Sequence, residues 1–403
     1  MPPTRLRIGL DARAADPTPS GLSTYARHLV SALIDLDTPH SFVVYRRPDA
    51  GPPFADGRVE ERLLNLDAST PTLARQLDTS DLDLFHALHH FLPFSLSAPR
   101  IVVTLHDLIW VEQPHLIRTG GLAPITRAVS HWYARGAIGY ALRRADHVIA
   151  ISRYTRGRAI ARYGVPEARV SVVHHGVDHG RFASPDHGSA GAGGAEGAGR
   201  AGTAGRTAGA EGAGGAGGAG GAEGRYFLCV GNTKPYKNVP VAIDAFAICA
   251  RQFPDVRLVI AGRGDSLAAL NAQVMRLGLQ DRVEFTGSVS DRELIALMRG
   301  AQALVFPSLV EGFGLPVLEA MAAGCAVIGS EGTAVAEVAG SAALLCDPRQ
   351  PSAFATAMAR VLTTTGERER LVRAGLDRAQ AFQWQRCAEQ TVAVYESLLH
   401  RPR

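Results

Sequence analysis

The sequence predicts an α/β protein made of two doubly wound, parallel-sheet domains. Three observations carry this expectation: short apolar or β-branched runs alternate with longer helical patterns, the alternation stops and restarts once, and a segment of almost pure glycine and alanine fills the break. Strands of a parallel sheet are covered on both faces, so they read as continuous apolar runs rather than alternating ones. The length of 403 residues fits two cores, because a single core stops growing beyond roughly 250–300 residues.

In the first half the strand-like runs are Leu6–Leu10, Phe42–Tyr45, Leu82–Phe85, Ile101–Leu105, His147–Ile151 and Val170–Val173, with helical patterns between them. This half is expected to form a domain over residues 1–183. Residues 184–225 can bury little and lose much entropy on ordering, so they read as a flexible linker. Inside it, GAGGAG at Gly212–Gly217 matches the dinucleotide pattern GxGxxG. With no strand before it and no helix after it, the match is a product of low complexity.

The alternation resumes at Tyr226–Val230 and continues through Val256–Ala261, Val283–Phe285, Ala303–Phe306, Ala326–Gly329 and Ala342–Leu345. Residues 226–403 therefore read as a second doubly wound domain. Open α/β sheets bind ligands outside the carboxyl ends of their strands, so two such edges facing each other would enclose a cleft.

Composition narrows the function. Hydrophobic residues at 46% and charged residues at 20% suit a globular enzyme, and a net charge of +4 is too small a bias to indicate nucleic acid. The five cysteines, Cys229, Cys249, Cys325, Cys346 and Cys387, include no CxxC pair and lie in apolar runs, which favours a reducing cytoplasm. The N-terminal apolar run is too short for a signal peptide, and no stretch reaches the ~18 apolar residues of a membrane span.

The strongest chemical signal is Glu311-Gly-Phe-Gly-Leu-Pro-Val-Leu-Glu319, a glycine turn and helix start with two carboxylates eight positions apart. Pro316 suits a first helical turn and Gly324 a helix end. Backbone amides around Phe313, Gly314 and Leu315 would face the cleft at a positive helix end, which suits an anionic or hydroxyl-rich ligand. A carboxylate can accept hydrogen bonds from two adjacent sugar hydroxyls, and a nucleotide sugar offers both features. In isolation Glu319 also reads as an acid balancing the helix dipole, and Glu311 as a loop acid.

Lys234 and Lys237, in GNTKPYKN directly after the first strand of the second domain, are point charges suited to a diphosphate; as surface lysines they would do nothing. His106 and Asp107 follow the strand IVVTL, where both can enter the cleft or simply satisfy a turn. Gly21 precedes the helical pattern STYARHLVSAL. His174 and His175 are adjacent, so they point to opposite faces of a strand, and with no third ligand evident they read as structural rather than metal-binding.

Glu311–Glu319 resembles the E-x7-E signature of family 4 retaining glycosyltransferases. The resemblance extends through SGLSTYARHL, TLHDLIW, VVHHGVD, VGNTKPYKN, AGRGD and FTGSVSDREL to the closing FQW, and so covers nearly the whole chain apart from the linker. It implies the GT-B architecture, two Rossmann-like parallel-sheet domains facing an interdomain cleft, with a last helix at about 384–400 returning to the N-terminal domain. It places Glu311 beside the transferred sugar, Glu319 on the ribose, the backbone of Phe313, Gly314 and Leu315 on sugar hydroxyls, and Lys237 on the diphosphate. His106, with Asp107 beside it, would contact the sugar, Gly21 would admit the diphosphate without a side-chain clash, and the main chain of Val289 would touch the base.

The arginine that the family usually keeps near this lysine is absent, which leaves Lys234 or an arginine from elsewhere, such as Arg263, to replace it. The resemblance further implies an NDP-sugar donor, no cofactor and no catalytic metal. GNTKPYKN and TLHDLIW are similar to bacterial polysaccharide and O-antigen mannosyltransferases, which implies mannose carried by GDP onto a glycan or lipid-linked acceptor. Arg118, Arg127, Arg135, Arg143 and Arg144, with Trp132 and Tyr133, could lie on an anionic membrane at its inner face, or belong to an ordinary amphipathic helix. A nucleotide-sugar epimerase of the same shape and a non-catalytic nucleotide-sugar-binding protein are the competing readings. A dehydrogenase is disfavoured because neither domain opens on a well-placed GxGxxG.

Overall fold

The computed structural model describes residues 5–15, 20–49, 54, 59–64, 77–94, 96–117, 124–183, 224–264 and 266–399, with backbone alone at 124–128, 130 and 183. Residues 184–223 of the expected linker, with its GAGGAG run, and Arg118 fall outside the described residues, as does the Arg127 side chain.

Seven parallel strands form the first sheet: β1 (Arg7–Asp11), β2 (Ser41–Arg46), β3 (Val59–Leu63), β4 (Leu84–Ala87), β5 (Ile101–Leu105), β6 (His147–Ala150) and β7 (Val170–Val172), in the order β3-β2-β1-β4-β5-β6-β7. Six parallel strands form the second: β8 (Tyr226–Val230), β9 (Arg257–Ala261), β10 (Val283–Gly287), β11 (Ala303–Phe306), β12 (Val327–Ser330) and β13 (Leu344–Cys346), in the order β10-β9-β8-β11-β12-β13. Both orders reverse direction beside the first strand of the sheet, the Rossmann arrangement whose crevice opens at that switch point. The expected α/β class and the twelve expected strands are present.

The thirteenth, β3, has no apolar run to announce it. It is the edge strand VEERL, only partly buried, and its charges serve the edge. Arg62 binds Asp81 at 2.7 Å and Glu60 at 2.7 Å, while Arg46 holds Glu61 at 2.8 Å. Charged side chains blunt an edge against pairing with another chain, so such a strand lacks the signal that buried strands carry.

Each sheet packs helices on both faces. The helix Trp384–Leu399 follows the last elements of the second sheet yet packs on the first: Trp384, Cys387, Ala388, Tyr395 and Leu398 share a core with Leu10, Tyr25, Leu29 and Leu33. Polar contacts fix its docking, since the Tyr395 hydroxyl meets His86 Nδ1 at 2.6 Å and Glu396 meets His40 at 3.3 Å. A side chain at Gly176 would strike the backbone nitrogen of Trp384 at 2.2 Å, so the chain can cross back only over a glycine.

The lobes also meet through polar groups. Glu337, on the helix Ala334–Ala339 of the second lobe, accepts from the backbone N–H groups of Arg153 and Tyr154 at 2.9 and 3.1 Å, capping the helix Arg153–Tyr163 of the first, and bonds His174 at 2.6 Å. A carboxylate at a helix N-terminus satisfies orphan amides and meets the positive end of the dipole.

Candidate active site

A cavity of about 560 Å³ opens between the lobes, at the carboxyl ends of β5, β8 and β11. Its C-terminal wall begins where β11 delivers Leu309 and Val310 to the turn Glu311–Gly314. Gly314 takes φ +104°, a left-handed conformation that favours glycine, and starts the helix Leu315–Ala322 with Pro316 in its first turn. Glu319 follows one turn into that helix and reaches the same cavity.

Lys237 and Glu311 form the centre of this wall. The Lys237 ammonium donates to Glu311 Oε1 at 2.8 Å, both side chains are 12% exposed, and the nitrogen lies 4.9 Å from the Phe306 ring centroid. Burial disfavours the lysine cation, but the adjacent Glu311 carboxylate outweighs it and holds the Lys237 pKa above the ordinary value. The ammonium is therefore held charged and aligned within the cavity wall. Burial pushes Glu319 the other way, raising its pKa, and the Arg181 guanidinium partly offsets this. Lys234 is exposed at the cavity rim, with no carboxylate partner among the described residues.

The N-terminal wall has a neutral imidazole at its centre. His106 is buried, its Nε2 donates to the Leu88 carbonyl at 2.9 Å, and desolvation lowers its pKa to about 4, so the imidazole is uncharged at neutral pH with Nδ1 left as an acceptor. Asp107 accepts from the Ile109 N–H at 3.0 Å, and burial raises its pKa. Ser20 caps the helix Gly21–Asp35 by accepting from Ser23 N–H at 3.1 Å, which aims that helix's positive end at the cavity. A side chain at Gly21 would meet only Leu315 Cδ1, at 3.9 Å, so nothing in the protein itself demands glycine there.

The walls touch at Gly312. A Cβ there would lie 1.9 Å from the His106 carbonyl oxygen, and the Gly312 carbonyl accepts from Ser152 Oγ at 2.8 Å and Thr155 Oγ1 at 3.2 Å. The glycine of the acid motif thus sets how near the two lobes come.

The cavity gathers Gly21, His106, Asp107, Lys234, Lys237, Glu311, Phe313, Gly314, Leu315 and Glu319 on one surface. Val289 is not on it: its side chain packs against the second lobe's core, and Asp291 and Leu294 line the cavity from that segment instead. Arg263 is exposed and contributes a carbonyl that accepts from Thr233 N–H at 3.2 Å. The guanidinium that does reach the cavity is Arg181, paired with Asp291 at 2.7 Å across the lobes. Sequence reasoning passed over Arg181, which sits in an unremarkable five-residue helix, His179–Ala183. It also read His174 and His175 alike as structural, whereas His174 bonds Glu337 and His175 lines the cavity.

Two Rossmann-like lobes facing each other across a cleft, with strand ends and helix N-termini turned into it, define the GT-B fold. Residues 221–378 match the family model for glycosyl transferases group 1, and residues 19–181 match that for glycosyltransferase family 4. The chain belongs to glycosyltransferase family 4.

Among its relatives, an O-antigen chain mannosyltransferase B from Escherichia coli is 33% identical over 43% of this chain and 46% of its own length. An O-antigen chain mannosyltransferase from Salmonella typhimurium is 26% identical over 65% of each. The chain spans about half the length of the first curated relatives it matches. Among solved structures, a sucrose-phosphate synthase from Thermosynechococcus elongatus superposes with a TM-score of 0.69 at 21% identity, covering 98% of this chain and 99% of that one. The Anabaena protein HepE, solved in complex with UDP-glucose, has a TM-score of 0.69 at 19% identity, covering 97% and 100%.

Proposed function

We propose that this chain is a retaining glycosyltransferase that moves a hexose, mannose from GDP-mannose, onto a glycan or lipid-linked acceptor in polysaccharide biosynthesis. The observation that carries the reading is the part-buried Lys237–Glu311 pair at 2.8 Å, on the same cavity as Glu319 and the N-termini of two helices. A diphosphate needs fixed cations and oriented amides, a ribose needs a carboxylate for its diol, and the transferred sugar needs hydrogen-bonding groups between them.

In the transfer the bond from the anomeric carbon to the phosphate oxygen breaks, and a bond to the acceptor hydroxyl oxygen forms on the same face. The acceptor proton passes to the departing phosphate. Lys237 stabilises the charge that grows on that phosphate, and its pairing with Glu311 fixes the ammonium in advance, so little reorganisation is needed. Glu311 and the neutral His106 position the sugar, Glu319 holds the ribose, and closure of the lobes keeps water from the activated donor.

Mannose is favoured by the names of the O-antigen relatives and of a mycobacterial mannosyltransferase 36% identical over 41% of this chain. A thermal-shift panel of GDP-mannose, UDP-glucose, a dTDP-sugar and an ADP-sugar tests it. GDP-mannose at 100 times its dissociation constant should stabilise the fold by about 2.7 kcal/mol. A shift with UDP-glucose alone would replace mannose in this reading.

The acceptor side includes the helix Pro124–Arg144. Trp132 is 77% exposed, and with Arg135, Arg143 and Arg162 it lines a second groove of about 410 Å³. Aromatic rings beside guanidinium groups suit the interface of an anionic membrane, which would place the enzyme peripherally on the cytoplasmic face. Among the described residues no helix is long and apolar enough to cross a membrane. Co-sedimentation with anionic vesicles at low salt tests this contact, and Trp132→Ser should reduce it.

A further inference from the structure

We propose that His175 is a sugar-binding residue, whose ring nitrogens hydrogen-bond a hydroxyl of the transferred sugar in the interlobe cavity. The proposal rests on the glycosyltransferase reading above and adds to it a residue that the acid motif and the lysine loop do not announce.

His175 follows β7 and lines the cavity while only 2% exposed. Aromatic rings enclose it. It stacks on Tyr25 with centroids 4.7 Å apart and on Trp384 at 5.8 Å, and lies tilted against Phe313 at 4.7 Å and His106 at 5.7 Å. Among the described residues, neither Nδ1 nor Nε2 has a hydrogen-bond partner. His86, equally buried in the same lobe, shows the usual state: its two nitrogens meet the Tyr395 hydroxyl at 2.6 Å and Thr104 Oγ1 at 2.8 Å.

Buried polar groups are nearly always satisfied, and leaving one unpaired costs more than a good hydrogen bond contributes. An aromatic box of this shape would accept phenylalanine with the same stacking and no polar atoms to desolvate. Histidine here thus lowers stability unless something in the cavity completes its hydrogen bonds. Its chemistry narrows what that is. Burial drives the His175 pKa well below the ordinary value, so the ring is neutral and offers one donor and one acceptor. A phosphate calls for cations, whereas a hydroxyl both donates and accepts and is complementary to a neutral imidazole. The neighbouring His106, whose Nε2 is committed to the Leu88 carbonyl, presents a second acceptor beside it. The two imidazoles together match adjacent hydroxyls of a pyranose. Phe313 closes the slot from the acid-motif side, where the transferred sugar is placed by the reading above.

The test is calorimetric titration of the full chain with GDP-mannose and with GDP, for the natural protein, His175→Phe and His175→Asn, together with thermal midpoints. The expected result for His175→Phe is a loss of about five- to fifty-fold in affinity for GDP-mannose. Its affinity for GDP should stay within about twofold and its thermal midpoint should be unchanged or higher. His175→Asn, which keeps a donor and an acceptor, should recover part of the GDP-mannose affinity. Equal affinities of His175→Phe and the natural protein for GDP-mannose would overturn the proposal. So would a fall in both affinities alongside a lower midpoint, or, where the phenylalanine variant does not fold, unaltered GDP-mannose binding by His175→Leu, which keeps neither donor nor acceptor. If the natural protein binds none of the panel's nucleotide sugars, the glycosyltransferase reading itself fails. If it binds one and His175→Phe binds it equally well, only this inference does.

Discussion

The two walls of the interlobe cavity are built on different physics. The C-terminal wall is charged and prearranged: Lys237 and Glu311 are paired at 2.8 Å in a partly dry setting, and Glu319 stands one turn into the adjoining helix. The N-terminal wall centres on the neutral, buried imidazoles His106 and His175, packed among Tyr25 and Trp384, with the Asp107 carboxyl and the Arg181 guanidinium on the same cavity. A diphosphate demands the first kind of surface and sugar hydroxyls the second. A half-site built on one strand-to-helix turn leaves a motif in the sequence, while one assembled from several segments leaves scattered residues that gain meaning only when brought together.

The sharpest way to break this contrast is Glu311→Gln. Removing the carboxylate's charge while keeping its shape should cut transfer by about 10²–10³-fold, on the scale of losing one electrostatic element of an active site. Circular dichroism should show the fold intact, and initial rates near those of the natural protein would remove Glu311 from the mechanism. Next in size, Glu319→Ala should weaken donor binding by roughly ten- to a hundredfold, since losing a charged hydrogen-bond partner costs about 1.5–3 kcal/mol. Unchanged nucleotide affinity by titration calorimetry would reject its ribose role.

Two glycines sharpen the comparison further. Gly312→Ala places a methyl 1.9 Å from the His106 carbonyl oxygen, so the lobes must separate. Overpacking of this kind costs about 1–3 kcal/mol and should appear as a lower thermal midpoint. Gly21→Ala meets only Leu315 Cδ1 at 3.9 Å, so its midpoint should not move while affinity for the diphosphate falls. A loss of stability in Gly21→Ala would show the glycine to be a packing requirement instead.

The smallest effect per residue should be one of pH, and it belongs to the buried imidazoles of His106, on the N-terminal wall, and of His90, whose ring lies 6.4 Å from it. Burial lowers the pKa of His106 from 6.5 to about 4, and of His90 from 6.5 to about 3. Because the folded values lie below the unfolded one, their stabilising effect is complete above about 6.5 and is lost as pH falls through 4. On the order of 1–2 kcal/mol should go between pH 7 and pH 5 for each such histidine. Midpoints measured across that range should fall, and a flat profile would contradict neutral imidazoles at these positions.

The two parallel sheets, the carboxyl-edge position of the candidate site and the acid–lysine half of the cavity were all legible in the sequence. They were legible because buried strands read as apolar runs, and because Glu311–Glu319 and GNTKPYKN are continuous segments on single strand-to-helix turns. The sequence did not reveal β3, whose charges follow from its place at an edge, nor Arg181 and His175, which reach the cavity only through the meeting of the lobes. Folding alone brings His174 to Glu337 of the opposite lobe and leaves His175, among the described residues, with two unpaired nitrogens in an aromatic box. Adjacent residues at a strand end face opposite ways, and which of the two meets the cavity depends on packing between segments more than a hundred residues apart.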